Sequence, residues 1–597
     1  MSNRPGWQIL SNCREKGETM TRKWNAKTRS EDIGHAASKT FDLIIIGGGI
    51  TGAGIARECA LRGISFCLLD KNDFAFGTSS RSSKMFHGGM RYLASYDFGL
   101  VRESTGERNW LRSHLPNLVR PLGFVYPAYE KGKARPFKVW LGVKLYEILS
   151  DWLSEYKNYR KSRIFRAEFV EEFEPAIAIE EPELGRMIMA GFYYDNNCDD
   201  ARVTLETIKE SLGYARGDST ALNYSEVGDY LRDSSGMVRG VKVKDVLSGG
   251  AFEVRGRCVV SAAGAWTDET LASANYGEQR IYPTKGVHIV VPNERIGNRN
   301  AFSLISLDDN RFFFVLNRYR VSVIGTTDTA YYPESKNLDE PRCRKEDCDY
   351  LLRTVNRMFP HAMLTYDDII AAFAGIRPLI KQEGAKHESD VSRRHEIFQT
   401  KDGVVAIAGG KSTTFRLMAE DLLFYLQKNK FLGQFAKPEY SKRGFSRQPF
   451  KVGLARKEFD RIAAEKGLLE AAHPEQLQYL YTQYGRSGIE ILEKIRDNPP
   501  SGRPLLGGYP HCAAEIDFIL EHENAPKLID ILCRRTEAQW MIWHYKQPEL
   551  AEAVAAIMAP YYGWSEETKK AEVDHYIGYV EDNIRFLKEQ VITEKVD

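Results

Sequence analysis

The chain has 597 residues, more than one hydrophobic core accommodates, so two or three domains are expected. Hydrophobic residues make up 43% and charged residues 27%, the balance of a folded globular protein rather than a disordered or fibrous one. A formal net charge of +2 excludes a bulk pull toward nucleic acid, and no run of about 18 uncharged apolar residues offers a membrane span. The nine cysteines form no C-x-x-C pair, and Cys343 and Cys348 have no histidine or second pair beside them. No metal site is expected, and reduced thiols fit a cytoplasmic setting.

Residues 1–40 are polar and mixed in charge, with no apolar stretch after the basic residues, so they do not read as a secretory signal. Glu15, Glu18, Glu31 and Asp32 argue against an organelle transit peptide. The expectation is an extension ending in a short helix that delivers the first strand. That strand is 43–46, apolar on every residue and therefore buried on both faces, as in a parallel sheet. Gly47-x-Gly49-x-x-Gly52 follows, then helical spacing over 53–62, a second buried strand over 64–69, and Asp70 at its tip. Each glycine has its own task. Gly47 makes the tight turn, Gly49 lets the backbone approach a pyrophosphate, and Gly52 seats the helix on the sheet. The diphosphate faces the free N–H groups of the helix start, and Asp70 is placed to accept hydrogen bonds from a ribose diol. In this context the motif points to a dinucleotide, without choosing between NAD and FAD.

Residues 77–93 are small and hydroxylated, GTSSRSSKMFHGGMRYL. A segment of that kind, straight after the ribose strand, can thread beneath a flavin where only small side chains fit. Thr78, Ser79, Ser82, Ser83, Lys84 and His87 are its candidate cofactor contacts. Residues 96–114 read as a charged helix. In 131–157, Lys131, Lys133, Arg135, Lys138 and Lys144 surround Phe137, Val139, Trp140, Leu141, Leu145, Ile148, Leu149, Trp152 and Leu153. Such a helix either packs its apolar face in the core, the commoner case, or lays a basic amphipathic surface on anionic lipid. Residues 198–212 return as a helix, 221–227 and 237–243 are strands, and 257–261 runs into Ala262-Ala263-Gly264. Val227, Ala263 and Gly264 are placed to pass close to the dinucleotide. Period-two alternation over 279–328 predicts an antiparallel sheet. Strand 404–408 leads through Gly409-Gly410 into a helix over 413–427. Residues 429–450 read as a linker and 451–597 as helical, with no internal repeat or low-complexity tract.

The motifs FDLIIIGGGITGAGIA and GTSSRSSKMFHGGMRYL together resemble the FAD-dependent glycerol-3-phosphate dehydrogenases. Further matches recur in order: YYDNNCDDARV from Tyr193, VSAAGAWTD from Val260, KGVHIV from Lys285, IGTTDT from Ile324, AGIRPL from Ala374 and IAGGKSTTFR from Ile407. LIDILCRRT, starting at Leu528, resembles the signature of that family's C-terminal domain. Ser412 stands where the family often carries a larger residue, and Ala265-Trp266 where GPW is usual. The resemblance implies a mixed α/β (α+β) fold, with a Rossmann-like FAD domain interwoven with an antiparallel-sheet substrate domain and followed by a helical domain. The implied bounds are 41–95, 196–270 and 366–428 for the FAD domain, and 96–195 with 271–365 for the substrate domain, whose sheet roofs the flavin.

The implied reaction is oxidation of sn-glycerol 3-phosphate to dihydroxyacetone phosphate. Electrons would pass to a membrane quinone, with the protein peripherally attached to the inner face. A glycerol-3-phosphate oxidase using oxygen is the alternative, and a homodimer is left open. Such chemistry needs a base for the hydroxyl proton with a pKa near neutral, which suits histidine. His288 is favoured, leaving His87 to bond the cofactor. The substrate phosphate needs fixed positive charge, assigned to Arg377, Arg91 and Lys411, with Tyr92 as a further substrate contact.

Overall fold

The computed structural model describes residues 24–93, 96–274, 276–333, 337–381, 394–433 and 437–588. Most of the N-terminal extension lies outside them. Helix α1 (Arg29–Ser38) leads directly into strand β1 (Thr40–Ile46), and its Ala36 is fully buried beside Phe41 and Ile44. Strand β1 feeds two cores by simple alternation: Leu43 and Ile45 on one face, Ile44 and Ile46 on the other. That is why 43–46 is apolar on every residue. Helix α2 (Ile50–Leu61) and strand β2 (Phe66–Leu69) complete the first unit.

The first sheet runs His395–Gln399, Val405–Gly409, Ala251–Ser261, β1, β2 and Thr220–Leu222. From Val405–Gly409 onward these pairings are parallel. The strand expected at 221–227 divides into Thr220–Leu222 and Ser225–Arg232, broken at Tyr224, where φ is +50°. Helix α2 lies against Asp200–Ala215 and Phe415–Lys428, which close one face of this sheet.

The second sheet is larger and mainly antiparallel. At its centre, strand β3 (Ile281–Pro292) pairs with strand β4 (Ala371–Ile380) from Ile281 opposite Ile380 to Val290 opposite Ala371. Strand β4 was expected in the dinucleotide domain, as was Met85–Phe86, yet both pair within this second sheet. The reason is physical. An apolar run reports that a strand is buried and says nothing about which sheet buries it.

Helix α3 (Pro136–Glu147) lies on the outside of this sheet and buries Val139, Val143 and Tyr146. The core reading of 131–157 holds for that face alone. Phe137 is 68% exposed and Trp152 76% exposed, with Trp140, Leu141, Ile148 and Leu153 also facing outward. Beyond residue 450 the chain is helical from Arg456–Glu465 to Glu566–Asn583, around two cores that include Phe459, Leu480 and Tyr484 in one and Ile519, Leu550 and Tyr576 in the other. The linker before it is pinned, because the buried Arg57 guanidinium donates to the carbonyls of Ser446 and Gln448 at 2.9 Å each.

Candidate active site

One large cavity, of about 590 Å³, lies between the two sheets. Its first end is the glycine turn. Gly47 has φ +109°, and a Cβ there would sit 2.5 Å from the Ala262 carbonyl oxygen, so no side chain fits. Gly52 does not reach the cavity. A Cβ on it would strike the Gly47 carbonyl, so its task is to seat α2 beneath the turn. The Asp70 carboxylate accepts from the Gly48 N–H at 2.6 Å and the Asn72 N–H at 2.9 Å. Burial raises its pKa to about 7. Asp70 therefore ties the turn to the loop after β2 while also forming part of the cavity wall. Ser79 Oγ accepts the Ile50 N–H at 2.9 Å, so the helix start and the hydroxylated segment meet at one point. Val227, Ala263, Gly264, Gly409 and Gly410 supply small flanking walls.

Within the hydroxylated segment the side chains divide by destination. Thr78 donates to the Ile376 carbonyl at 2.5 Å, and Ser82 to Asp200 at 2.6 Å. His87 lines the cavity, its backbone N–H reaching Thr413 Oγ1 at 3.3 Å. Lys84, expected to touch the cofactor, does not face the cavity. It is buried and donates to Asp200 Oδ1 at 2.6 Å and to the Ser80 carbonyl at 2.8 Å. Burial, the largest single influence, works against the ammonium, but the carboxylates of Asp200, Glu537 and Asp199 together outweigh it and the pKa is raised.

The second end is cationic. Strand pairing sets Arg377 of β4 opposite Thr284 of β3, and Phe373 opposite His288. Arg377 donates to Asp328 at 2.8 Å, to Thr326 Oγ1 at 3.0 Å and to the Thr327 carbonyl at 3.1 Å. Arg91 bonds the Tyr92 hydroxyl at 3.0 Å, and Lys411 Nζ stands 3.8 Å over the Tyr92 ring while also donating to Ser104 at 3.1 Å. All four side chains line the same cavity as His288. The His288 ring stacks on Phe373 at 4.8 Å, and its Nε2 bonds Ser83 Oγ at 2.9 Å. Its pKa is not near neutral as expected. Burial, then the charges of Arg377 and Lys84, push it down to about 3.

Sequence reasoning missed Asp328, Thr326, Asp200 and Phe373. Asp328 and Thr326 lie in IGTTDT and Asp200 in YYDNNCDDARV, so the motifs were visible even though the pairings were not.

A turn without side chains, a helix start, small flanking walls and a cavity of this size suit a flavin dinucleotide. Residues 42–418 match the family model described as FAD dependent oxidoreductase, and residues 448–569 match that of the C-terminal domain of alpha-glycerophosphate oxidase. The chain is 34% identical over 553 residues to glycerol-3-phosphate dehydrogenase 2 of Mycobacterium tuberculosis, covering 92% of this chain and 89% of the relative. It is 29% identical over 571 residues to the aerobic glycerol-3-phosphate dehydrogenase of Bacillus subtilis, covering 93% and 97%. The solved glycerol-3-phosphate dehydrogenase of Bacillus halodurans, complexed with FAD, superposes with a TM-score of 0.74 at 29% identity, covering 94% of this chain and 98% of that one. The chain belongs to the FAD-dependent glycerol-3-phosphate dehydrogenase family. Its cofactor is FAD. The dinucleotide fold is followed by a C-terminal helical domain over the residues that match the second family model.

Proposed function

We propose that this protein oxidises sn-glycerol 3-phosphate to dihydroxyacetone phosphate and passes the electrons to a membrane quinone. The observation that carries the reading is the meeting of Arg91, Arg377, Lys411 and His288 in the cavity whose other end is the glycine turn. Bound FAD supplies the hydride acceptor. The three cations hold the phosphate, which would be costly to bury unpaired. Arg377 is the principal contact, because a guanidinium matches two phosphate oxygens at once. Asp328 fixes the direction of that guanidinium before substrate arrives.

His288 takes the hydroxyl proton, with Ser83 holding the ring through Nε2. A pKa of about 3 keeps the imidazole neutral and able to accept at any ordinary pH. A phosphate dianion beside Arg377 offsets one of the two charges that depress it. Substrate binding thus moves the base toward the range where proton transfer is efficient. Anaerobic addition of sn-glycerol 3-phosphate should bleach the flavin, and glycerol should not. Turnover with a quinone analogue, with little peroxide in air, supports the dehydrogenase. Stoichiometric peroxide would mark an oxidase instead.

The outward face of α3 and of the turn that follows it, over 137–153, supports attachment to a bilayer. Phe137, Trp140, Leu141, Ile148, Trp152 and Leu153 are exposed, with Lys131, Lys133 and Lys138 around them. No helix among the described residues is long and apolar enough to cross a membrane. Binding to anionic vesicles should fall with salt, each basic residue contributing about 1 kcal/mol near the lipid. Reversing Lys131, Lys133 and Lys138 to Glu should abolish it. Sedimentation with vesicles checks this, and unchanged binding would remove α3 from the membrane surface.

A further inference from the structure

The loop that joins β2 to the hydroxylated segment has two sides. Asp70, Lys71, Asn72, Phe76 and Gly77 line the cavity. Asp73 is fully buried on the other side and meets the C-terminal helical domain. Arg534 Nε donates to Asp73 Oδ2 at 2.5 Å, and Arg535 Nη2 to Oδ1 at 3.0 Å, with Arg535 Nη1 also on Oδ2. Asn223, in the break between two strands of the first sheet, adds a bond to Oδ1 at 2.9 Å. The two arginines are themselves fixed from behind. Arg534 reaches Asp530 at 2.6 Å, Arg535 donates to the Asn524 carbonyl at 2.6 Å, and Arg202 donates to the Arg535 carbonyl at 2.6 Å.

This loop is also continuous with the glycine turn. Ala75 N–H donates to the Gly48 carbonyl at 3.0 Å, and a Cβ on Gly48 would strike the Phe74 ring. Arg534 lies 5.9 Å over the Phe76 ring, which also lies under Arg81 at 4.5 Å and lines the cavity. Displacing Asp73 therefore moves the turn and a cavity wall together. The same short C-terminal segment also contacts Arg318 and Lys84, which lie behind the cavity and do not line it. Glu537 takes both oxygens to Arg318 at 2.7 and 2.9 Å, and the Trp540 ring lies 5.7 Å from Lys84 Nζ.

We propose that the C-terminal helical domain is a cofactor-retention clamp, in which Arg534 and Arg535 hold Asp73 and so keep the dinucleotide loop closed on FAD. The proposal rests on the FAD site described above. Asp73, Arg534 and Arg535 are positioning residues and touch neither substrate nor cavity. A carboxylate buried to this degree loses its place once a guanidinium partner is removed, because no water is available to replace it.

The test uses holoenzyme and follows the rise of flavin fluorescence on dilution. Asp73→Asn and Arg535→Gln should each raise the FAD dissociation rate at least about tenfold, well below the unfolding temperature, while KM for sn-glycerol 3-phosphate in FAD-saturated enzyme stays unchanged. The double variant should be no worse than the poorer single one, because neither charge is then left unpaired. Arg535→Lys should recover part of the retention. Glu181→Gln is the control: it breaks a pair to Arg357 of 2.7 Å in the substrate domain and should lower the unfolding temperature without releasing FAD. Should the clamp variants not fold, the wild-type chain still decides. Adding FAD to apo-protein should slow amide exchange across 530–537, since coupling between two sites is reciprocal. Variants that lower the unfolding temperature with no change in FAD release, or amides in 530–537 that ignore FAD, would reduce the contact to ordinary domain docking. A protein that takes up no FAD at all would instead refute the cofactor assignment.

Discussion

The two ends of the cavity are built on different principles. The glycine turn is built from main chain: a φ of +109° at Gly47, the start of α2, and a carboxylate, Asp70, spent on its own backbone. The cationic end is built from side chains delivered by separate strands and loops, where Arg91, Arg377 and Lys411 meet only after folding. A site made of backbone fails all at once when a single atom is added. A site made of converging charges fails in parts, and each part has its own signature.

The largest effect expected is at the first end. Gly47→Val should abolish FAD binding, because its side chain would occupy the space of the Ala262 carbonyl and its backbone would be forced to a positive φ. Absence of the yellow chromophore from an otherwise folded protein checks it. At the second end, Arg377→Ala should lower kcat/KM for sn-glycerol 3-phosphate by about 2–5 kcal/mol, with FAD content and flavin spectrum nearly unchanged. Arg377→Lys should recover only part, since the bidentate fork is gone. If FAD were lost as well, the separation of the two ends would be wrong.

Lys84 sharpens the comparison, because it sits between the ends and serves neither directly. Lys84→Met leaves Asp200 buried without its cation and should cost about 3 kcal/mol of stability, while the preference for glycerol phosphate over glycerol stays as in wild type. Thermal unfolding and the two substrates together test this.

A smaller effect is expected in pH dependence. Protonation disables His288 as a base, so activity falls as pH drops through its pKa. In free enzyme that value is about 3, so kcat/KM should show no loss near pH 6.5 from this group. In the substrate complex the phosphate raises the pKa, so an acid limb in kcat should lie at higher pH than any limb in kcat/KM assigned to His288. A limb absent from both in His288→Asn identifies the group.

How much of this was legible in the sequence follows the same division. The order of strand, glycine turn, helix and acid could be read locally, because all lie within thirty consecutive residues, but the bonds from the Gly48 and Asn72 N–H groups to Asp70 could not. Lys84 shows where local reading stops. It stands among the hydroxyl residues of a flavin segment, yet its partner Asp200 is 116 residues away, and that distant carboxylate decides its role. His288 was singled out, but its low pKa was not foreseen, because burial and then the charges of Arg377 and Lys84 act on it only in the folded chain. Residues 366–428 were assigned whole to the FAD domain, and strand β4 within them pairs instead with β3 of the second sheet, a partner no local pattern names.

The account stands on the claim that Arg377 selects the substrate by its phosphate. The direct test is the ratio of turnover on sn-glycerol 3-phosphate to turnover on glycerol, measured for wild type and Arg377→Ala with FAD fully loaded. The account predicts a ratio that collapses in the variant, through loss on glycerol phosphate with glycerol nearly unaffected. A ratio unchanged by the substitution would place the phosphate elsewhere in the cavity and contradict the assignment.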